Sequence, residues 1–197
     1  MKLYIMRHGR AEDREAWEGD DAERPLTDEG VLRTLAAARG LASLGLQLDA
    51  ILSSPLARAR GTAELIGPAF GLPVQLEPTL APGATLAHVA ALLAAHADAK
   101  ALLLVGHEPD FSTIVAELIT GGKGAAVEMR KGGCARIDLP GRALRHAASA
   151  PAKLAGTGTL VWLLTPAQLG MIGASGGERA AESEPVLPAT ESPADAL

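Results

Sequence analysis

Three short stretches carry residue types that together could handle a phosphate dianion. Arg7-His8-Gly9 follows the apolar run Leu3-Tyr4-Ile5-Met6. Arg58 stands one helical turn beyond Ser53-Ser54-Pro55, and Gly106-His107 follows the apolar run from Ala101 to Val105. Guanidinium forks match phosphate oxygens, and an imidazole can act as nucleophile or as hydrogen-bond donor. Two arginines and two histidines around one point would therefore suit phosphoryl transfer, where catalysis is mostly positioning and charge stabilisation. A neutral imidazole attacks phosphorus without a metal, so no metal and no cofactor is expected. Taken singly, each residue has a plainer reading: Arg58 as a helix-surface charge, His107 as a cap at a strand-to-helix turn. The case rests on their joint occurrence at strand ends.

The elements that must position them follow from hydrophobic spacing. Leu3 to Met6, Ala50 to Leu52, Leu72 to Leu76 and Ala101 to Val105 read as strands. Helices are expected from Thr27 or Asp28 to Leu44, from Pro55 to Ile66, from Ala84 to Ala97 and from Phe111 to Thr120. Gly133–Leu139 and Gly158–Leu164 are two late strand candidates, joined by an Ala-, Gly- and Arg-rich excursion over Pro140–Thr157. Alternating strands and helices indicate a three-layer α/β/α sandwich with a mostly parallel central sheet and late antiparallel strands. In such sheets, ligands sit beyond the carboxyl ends of the strands, which is where Arg7, His8, Arg58 and His107 fall. Gly9 would let the backbone turn tightly and let the phosphate approach closely. Arg60 and Glu64 are spaced for a helix salt bridge.

Composition narrows the partners. The 197 residues carry a formal net charge of −5 and only 3% aromatic side chains. That argues against a nucleic-acid partner, which would need a basic face or stacking platforms. No apolar run is long enough to span a membrane, and no secretory signal is visible. The single cysteine, Cys134, excludes an internal disulfide framework, fits a reducing cytoplasm and reads as a small core residue. His88 and His96 lie eight residues apart, not at a four-residue zinc spacing, and are expected on the surface. His146 has no partner in the sequence and is given no role. Residues 1–169 are expected to form the domain, with 170–197 as a disordered acidic tail dominated by Gly, Ala, Ser, Glu and Pro.

The joint pattern resembles the histidine phosphatase superfamily. It is carried by Ile5-Met6-Arg7-His8-Gly9, Pro25-Leu26-Thr27-Asp28-Glu29-Gly30, Ser53-Ser54-Pro55-Leu56-Ala57-Arg58-Ala59 and Val105-Gly106-His107. Within it, the chain is similar to the small phosphohistidine phosphatases of the SixA type, through Leu80–Gly83, Gly106–Ser112, Lys131–Ala135 and Leu160–Pro166. The resemblance implies a phosphoglycerate mutase-like fold. It implies His8 as nucleophile, with a covalent phosphohistidine intermediate, and Arg7, Arg58, His107 and Gly9 about the phosphate. Many members place an acidic proton donor after the third strand. Here that loop offers only Glu77, and Glu12, Glu108 and Asp110 are the other candidates. A missing donor would suit phosphohistidine, whose imidazole can leave neutral, better than an ester that expels an alkoxide. The expected substrate is phosphohistidine in a protein. The alternatives are a small phosphomonoester such as a sugar phosphate and, in another class, a non-catalytic module binding phosphate or phosphoprotein.

Overall fold

The apolar runs and amphipathic stretches assemble into one mixed sheet with helices on both faces. The computed structural model describes residues 1–122, 125–144, 147 and 149–182; His146 and residues 183–197 lie outside the described residues. In chain order the elements are β1 (Lys2–Arg7), α1 (Asp28–Ser43), β2 (Ala50–Ser53), α2 (Ala57–Ile66), β3 (Val74–Leu76), α3 (Leu86–Ala95) and β4 (Ala101–Gly106). They continue with α4 (Asp110–Thr120), β5 (Cys134–Asp138), α5 (Gly141–Leu144), β6 (Thr159–Leu164) and α6 (Pro166–Glu182).

The strand order is β3-β2-β4-β1-β5-β6. The first four strands of the chain pair in parallel, and β5 and β6 add on antiparallel, as the sequence suggests. Side chains alternate across each strand. Leu3, Ile5, Leu102 and Leu104 therefore point to the face covered by α3 and α4. Tyr4, Met6, Leu103 and Val105 point to the face covered by α1, α2 and α6. Parallel strands covered on both sides need continuous apolar runs, and β4 is buried along its whole length.

Local chemistry sets the helix ends. Thr27 caps α1 by accepting from the Gly30 amide, and Thr85 with His88 forms a capping box at the start of α3. His88 is exposed, as expected. Helix α2 starts two residues later than Pro55: Leu56 is extended, and its amide turns back to Ser54 Oγ. The Pro140–Thr157 excursion is not all loop, since it contains α5 and a 3₁₀ turn at Pro151–Lys153.

The expected tail from Gly170 needs correction at its start. Helix α6 runs on to Glu182, and Gly173 is buried against α1. Composition undercounts this contact because it is made by backbone. A β-carbon added at Gly40 would lie 2.0 Å from the Leu169 carbonyl oxygen, and one at Gly173 would lie 2.9 Å from the Gly40 nitrogen. Glycines let the two helices close up until their main chains touch, and dispersion replaces side-chain burial. Gly40→Ala is thus expected to lower stability by about 1–3 kcal/mol, the usual cost of overpacking. Gly141→Ala, which meets nothing within 4 Å, should leave it within about 0.5 kcal/mol. Urea midpoints measure both, and an unshifted Gly40→Ala midpoint would show that the helices do not touch.

Candidate active site

Sheet register brings the chemistry together. Arg7 on β1 pairs with Gly106 on β4, so the next residues, His8 and His107, leave the sheet side by side. Ser53 on β2 pairs with Val105, which sets Ser54 beside the same point. The His8 amide donates to the Gly106 carbonyl (3.0 Å) and the Ser54 amide to the Val105 carbonyl (3.0 Å). The two imidazoles, both buried, lie with ring centroids 5.3 Å apart. Arg58, on the first turn of α2, is buried, and Arg7 is half-buried. Both guanidiniums act electrostatically on both histidines.

Each ring has a defined tautomer. His8 Nδ1 lies 2.7 Å from the Gly9 carbonyl oxygen. A carbonyl only accepts, so Nδ1 carries the hydrogen and Nε2 keeps its lone pair. Ser54 Oγ accepts from the Leu56 amide (3.3 Å) and lies 2.8 Å from His107 Nε2. Ser54 is fully buried, and among the described residues its hydroxyl hydrogen has no acceptor other than His107 Nε2; with that bond made, the hydrogen of the neutral His107 ring sits on Nδ1. Both rings are neutral. Burial, then the neighbouring histidine and the two arginines, push the His8 pKa down to about 3, against the favourable Gly9 contact. Burial and then Arg58 push His107 down to about 4.

The arginines are held by part of each guanidinium. Arg7 Nη1 donates to the Met129 carbonyl (2.8 Å). Arg58 Nη1 donates to the Asp21 carbonyl (2.7 Å) and Nη2 to Asp21 Oδ2 (3.1 Å). Asp21 Oδ1 also receives Arg24 Nε at 2.9 Å, and Arg24, before the other cations, holds its carboxyl below the usual range. Among the described residues, the buried side-chain nitrogens and oxygens without a partner are Arg7 Nε, Arg58 Nε and His107 Nδ1. All three are donors, and all belong to this cluster.

Gly9 is engaged through both its amide and its carbonyl. Its amide donates to Thr62 Oγ1 (2.9 Å), its carbonyl takes His8 Nδ1, and an added β-carbon would lie 2.6 Å from Thr34 Oγ1. It orients the His8 ring and fits a crowded turn. That turn is fastened from the other side by Gly132, whose amide bridges the Arg7 and His8 carbonyls and whose φ of 78° suits glycine.

Of the acids expected as proton donors, Asp110 and Glu108 accept backbone amides. Asp110 Oδ2 accepts from the Gly83 amide (2.7 Å), tying the loop after β3 to α4. Glu108 Oε1 accepts from the Ser112 amide (3.2 Å), and its charge acts on Arg7. Glu77 follows β3, where its amide bonds to the Ser53 carbonyl, and Glu12 is exposed. Sequence reading missed Ser54, Asp21, Thr62 and the Met129 carbonyl. Ser54 stands inside a quoted motif. Asp21 lies in an acidic loop with nothing local to link it to Arg58, and a carbonyl has no sequence signature. Among the described residues, no three His, Cys, Asp or Glu side chains cluster as metal ligands. Cys134 is buried in the core, and desolvation pushes its thiol pKa far up.

Comparison with known proteins places this geometry. The family model of the histidine phosphatase superfamily (branch 1) matches residues 3–82. An uncharacterised protein of Picosynechococcus sp. is 42% identical over 137 residues, 68% of this chain and 82% of that one. Phosphohistidine phosphatase SixA of Escherichia coli K12 is 34% identical over 125 residues, 61% of this chain and 76% of that one. A solved structure of the protein histidine phosphatase SixA complexed with tungstate superposes with a TM-score of 0.70. It is 28% identical, and the match covers 86% of this chain and 99% of that one.

Two outcomes follow from the geometry. Asp21→Ala removes the carboxylate bond to Arg58, leaving the backbone one, and should weaken inorganic phosphate binding by about tenfold, the scale of one charge-assisted hydrogen bond; calorimetry giving the parental affinity would mean that Arg58 is held without the carboxylate. The second concerns acid stability. The unfolded histidines titrate near their ordinary value of 6.5, but the folded ones near 3 and 4. Between those limits the unfolded chain binds more protons, so stability is complete above about pH 7 and falls as pH drops through the window. Urea midpoints at pH 7 and pH 4.5, without phosphate, should show a fall that is smaller in His107→Asn. An equal fall in that variant would mean that His107 is already charged when folded.

Proposed function

Because the chain belongs to the histidine phosphatase superfamily, we propose that it removes phosphate from phosphohistidine in a protein, with His8 as the nucleophile. The observation that carries this reading is the set of three unspent buried donors, Arg7 Nε, Arg58 Nε and His107 Nδ1, around an imidazole whose Nε2 is bare. Buried donors without partners are costly and call for an acceptor. A phosphoryl dianion offers three oxygens.

In the proposed reaction, His8 Nε2 attacks phosphorus in line as the bond to the leaving group breaks and its electron pair stays with that group. Arg7, Arg58 and His107 hold the phosphoryl oxygens, and their bonds strengthen as charge shifts in the transition state. Water then attacks the phosphorus on His8, giving inorganic phosphate and restoring the imidazole. Asp110 and Glu108 each accept a backbone amide through one carboxylate oxygen, and the choice of substrate turns on the leaving group. An ester would expel an alkoxide and need a proton. A phosphohistidine protonated on its other ring nitrogen expels neutral imidazole and needs none. Similarity to SixA points the same way.

The test is turnover of phosphoimidazole and a phosphohistidine peptide beside a sugar phosphate, with rapid quenching of labelled enzyme. Phosphohistidine substrates should be hydrolysed at least a hundredfold faster, with chelator making no difference. His8→Ala should abolish turnover and the phospho-enzyme. His107→Ala should slow both steps by on the order of a hundredfold, the scale of one lost transition-state donor, yet still leave acid-labile label at His8. Preference for the sugar phosphate would replace the substrate reading, and label on His107 would reverse the two histidines.

A further inference from the structure

A groove of about 640 Å³ opens beside the site, reached through Arg7 and Gly9. In a chain of net charge −5, it is lined by Arg7, Arg10, Arg33, Arg130 and Lys131, against a single acid, Glu128. Glu29 neutralises part of this from the edge, bonding both Arg10 and Arg33 at 2.5 Å, and Glu128 pairs with Arg130 at 3.1 Å. An excess of positive charge remains. On the Arg58 side the balance differs, since Asp21 there is paired with Arg14, Arg24 and Arg58. Residues 12–23 hold seven acids, and this segment reaches the site through the bond from Asp21 to Arg58.

We propose that this groove docks an acidic segment flanking the phosphohistidine of a protein substrate, a step that rests on the function proposed above. Exposure decides between a polypeptide and a small anion. The side chains of Arg10, Arg33 and Arg130 are 56%, 60% and 69% exposed. A small anion is gripped by buried, pre-organised donors, as at His8. Long exposed cations instead act at a distance, raising the encounter rate of an oppositely charged macromolecule and fixing its orientation.

The test uses two synthetic phosphohistidine peptides, one flanked by glutamates and one with glutamines at the same positions, with free phosphoimidazole as the small substrate. At low salt the parent enzyme should favour the glutamate peptide at least tenfold in kcat/KM, and the preference should shrink as salt rises. Arg33→Glu with Arg130→Glu should erase the preference and leave phosphoimidazole turnover within twofold. Equal rates for the two peptides, or a preference that survives the double substitution, would overturn the groove while leaving the phosphohistidine reading intact. Loss of phosphoimidazole turnover in the double variant would make the groove a small-anion site and overturn the docking proposal. Failure of the parent enzyme on all three substrates would overturn both readings.

Discussion

Among the described residues, three buried N–H groups without acceptors are the costly feature. Each unmet donor costs about 1–3 kcal/mol, and two belong to guanidiniums already partly stripped of water. Such groups persist only where the surroundings leave them no other rotamer. The four side chains meet this constraint in one way: each is tied down at one end so that the other end stays free. Gly9 ties His8, Ser54 ties His107, Met129 ties Arg7 and Asp21 ties Arg58. The rigidity of the site comes from these second contacts, and they come from four separate segments of the chain.

The parallel sheet explains how separate segments can agree to within hydrogen-bond tolerance. Adjacent parallel strands in fixed register finish at one edge, and β2, β4 and β1 are consecutive neighbours. Their register is specified by burial on both faces, since slipping β1 by one residue would exchange the Leu3, Ile5 and Tyr4, Met6 sets between cores of different shape. The hydrophobic pairing that stabilises the fold is thus the same pairing that aligns Gly106 with Arg7. The two imidazoles meet as a by-product of core packing.

Much of this could be read from the residues alone. Apolar runs ending in Arg-His-Gly, Ser-Ser-Pro and Gly-His gave the strands, their parallel sense and the edge where the chemistry gathers, because each signal is local. Two kinds of feature escaped. The first is the partner remote in sequence: Asp21 and Arg58 lie 37 residues apart, and Met129 lies 122 from Arg7. No local pattern encodes such pairs. The second is contact made by backbone. Helix α6 looked unable to pack because hydrophobic counting credits side chains, whereas Gly40 and Gly173 work by having none. The crowding of Gly9 against Thr34 is of the same kind, since a missing side chain leaves no pattern for its neighbour.

The location of the sulfur atoms has its own consequence. The one thiol, Cys134, is buried and held protonated, and peroxide attacks thiolates. Met6 and Met129 are buried too, while Met171 on α6 is 63% exposed. Of these three methionines, Met171 is therefore the one open to oxidation. The nucleophile proposed here is an imidazole nitrogen, and the redox control that acts on sulfur nucleophiles does not reach it.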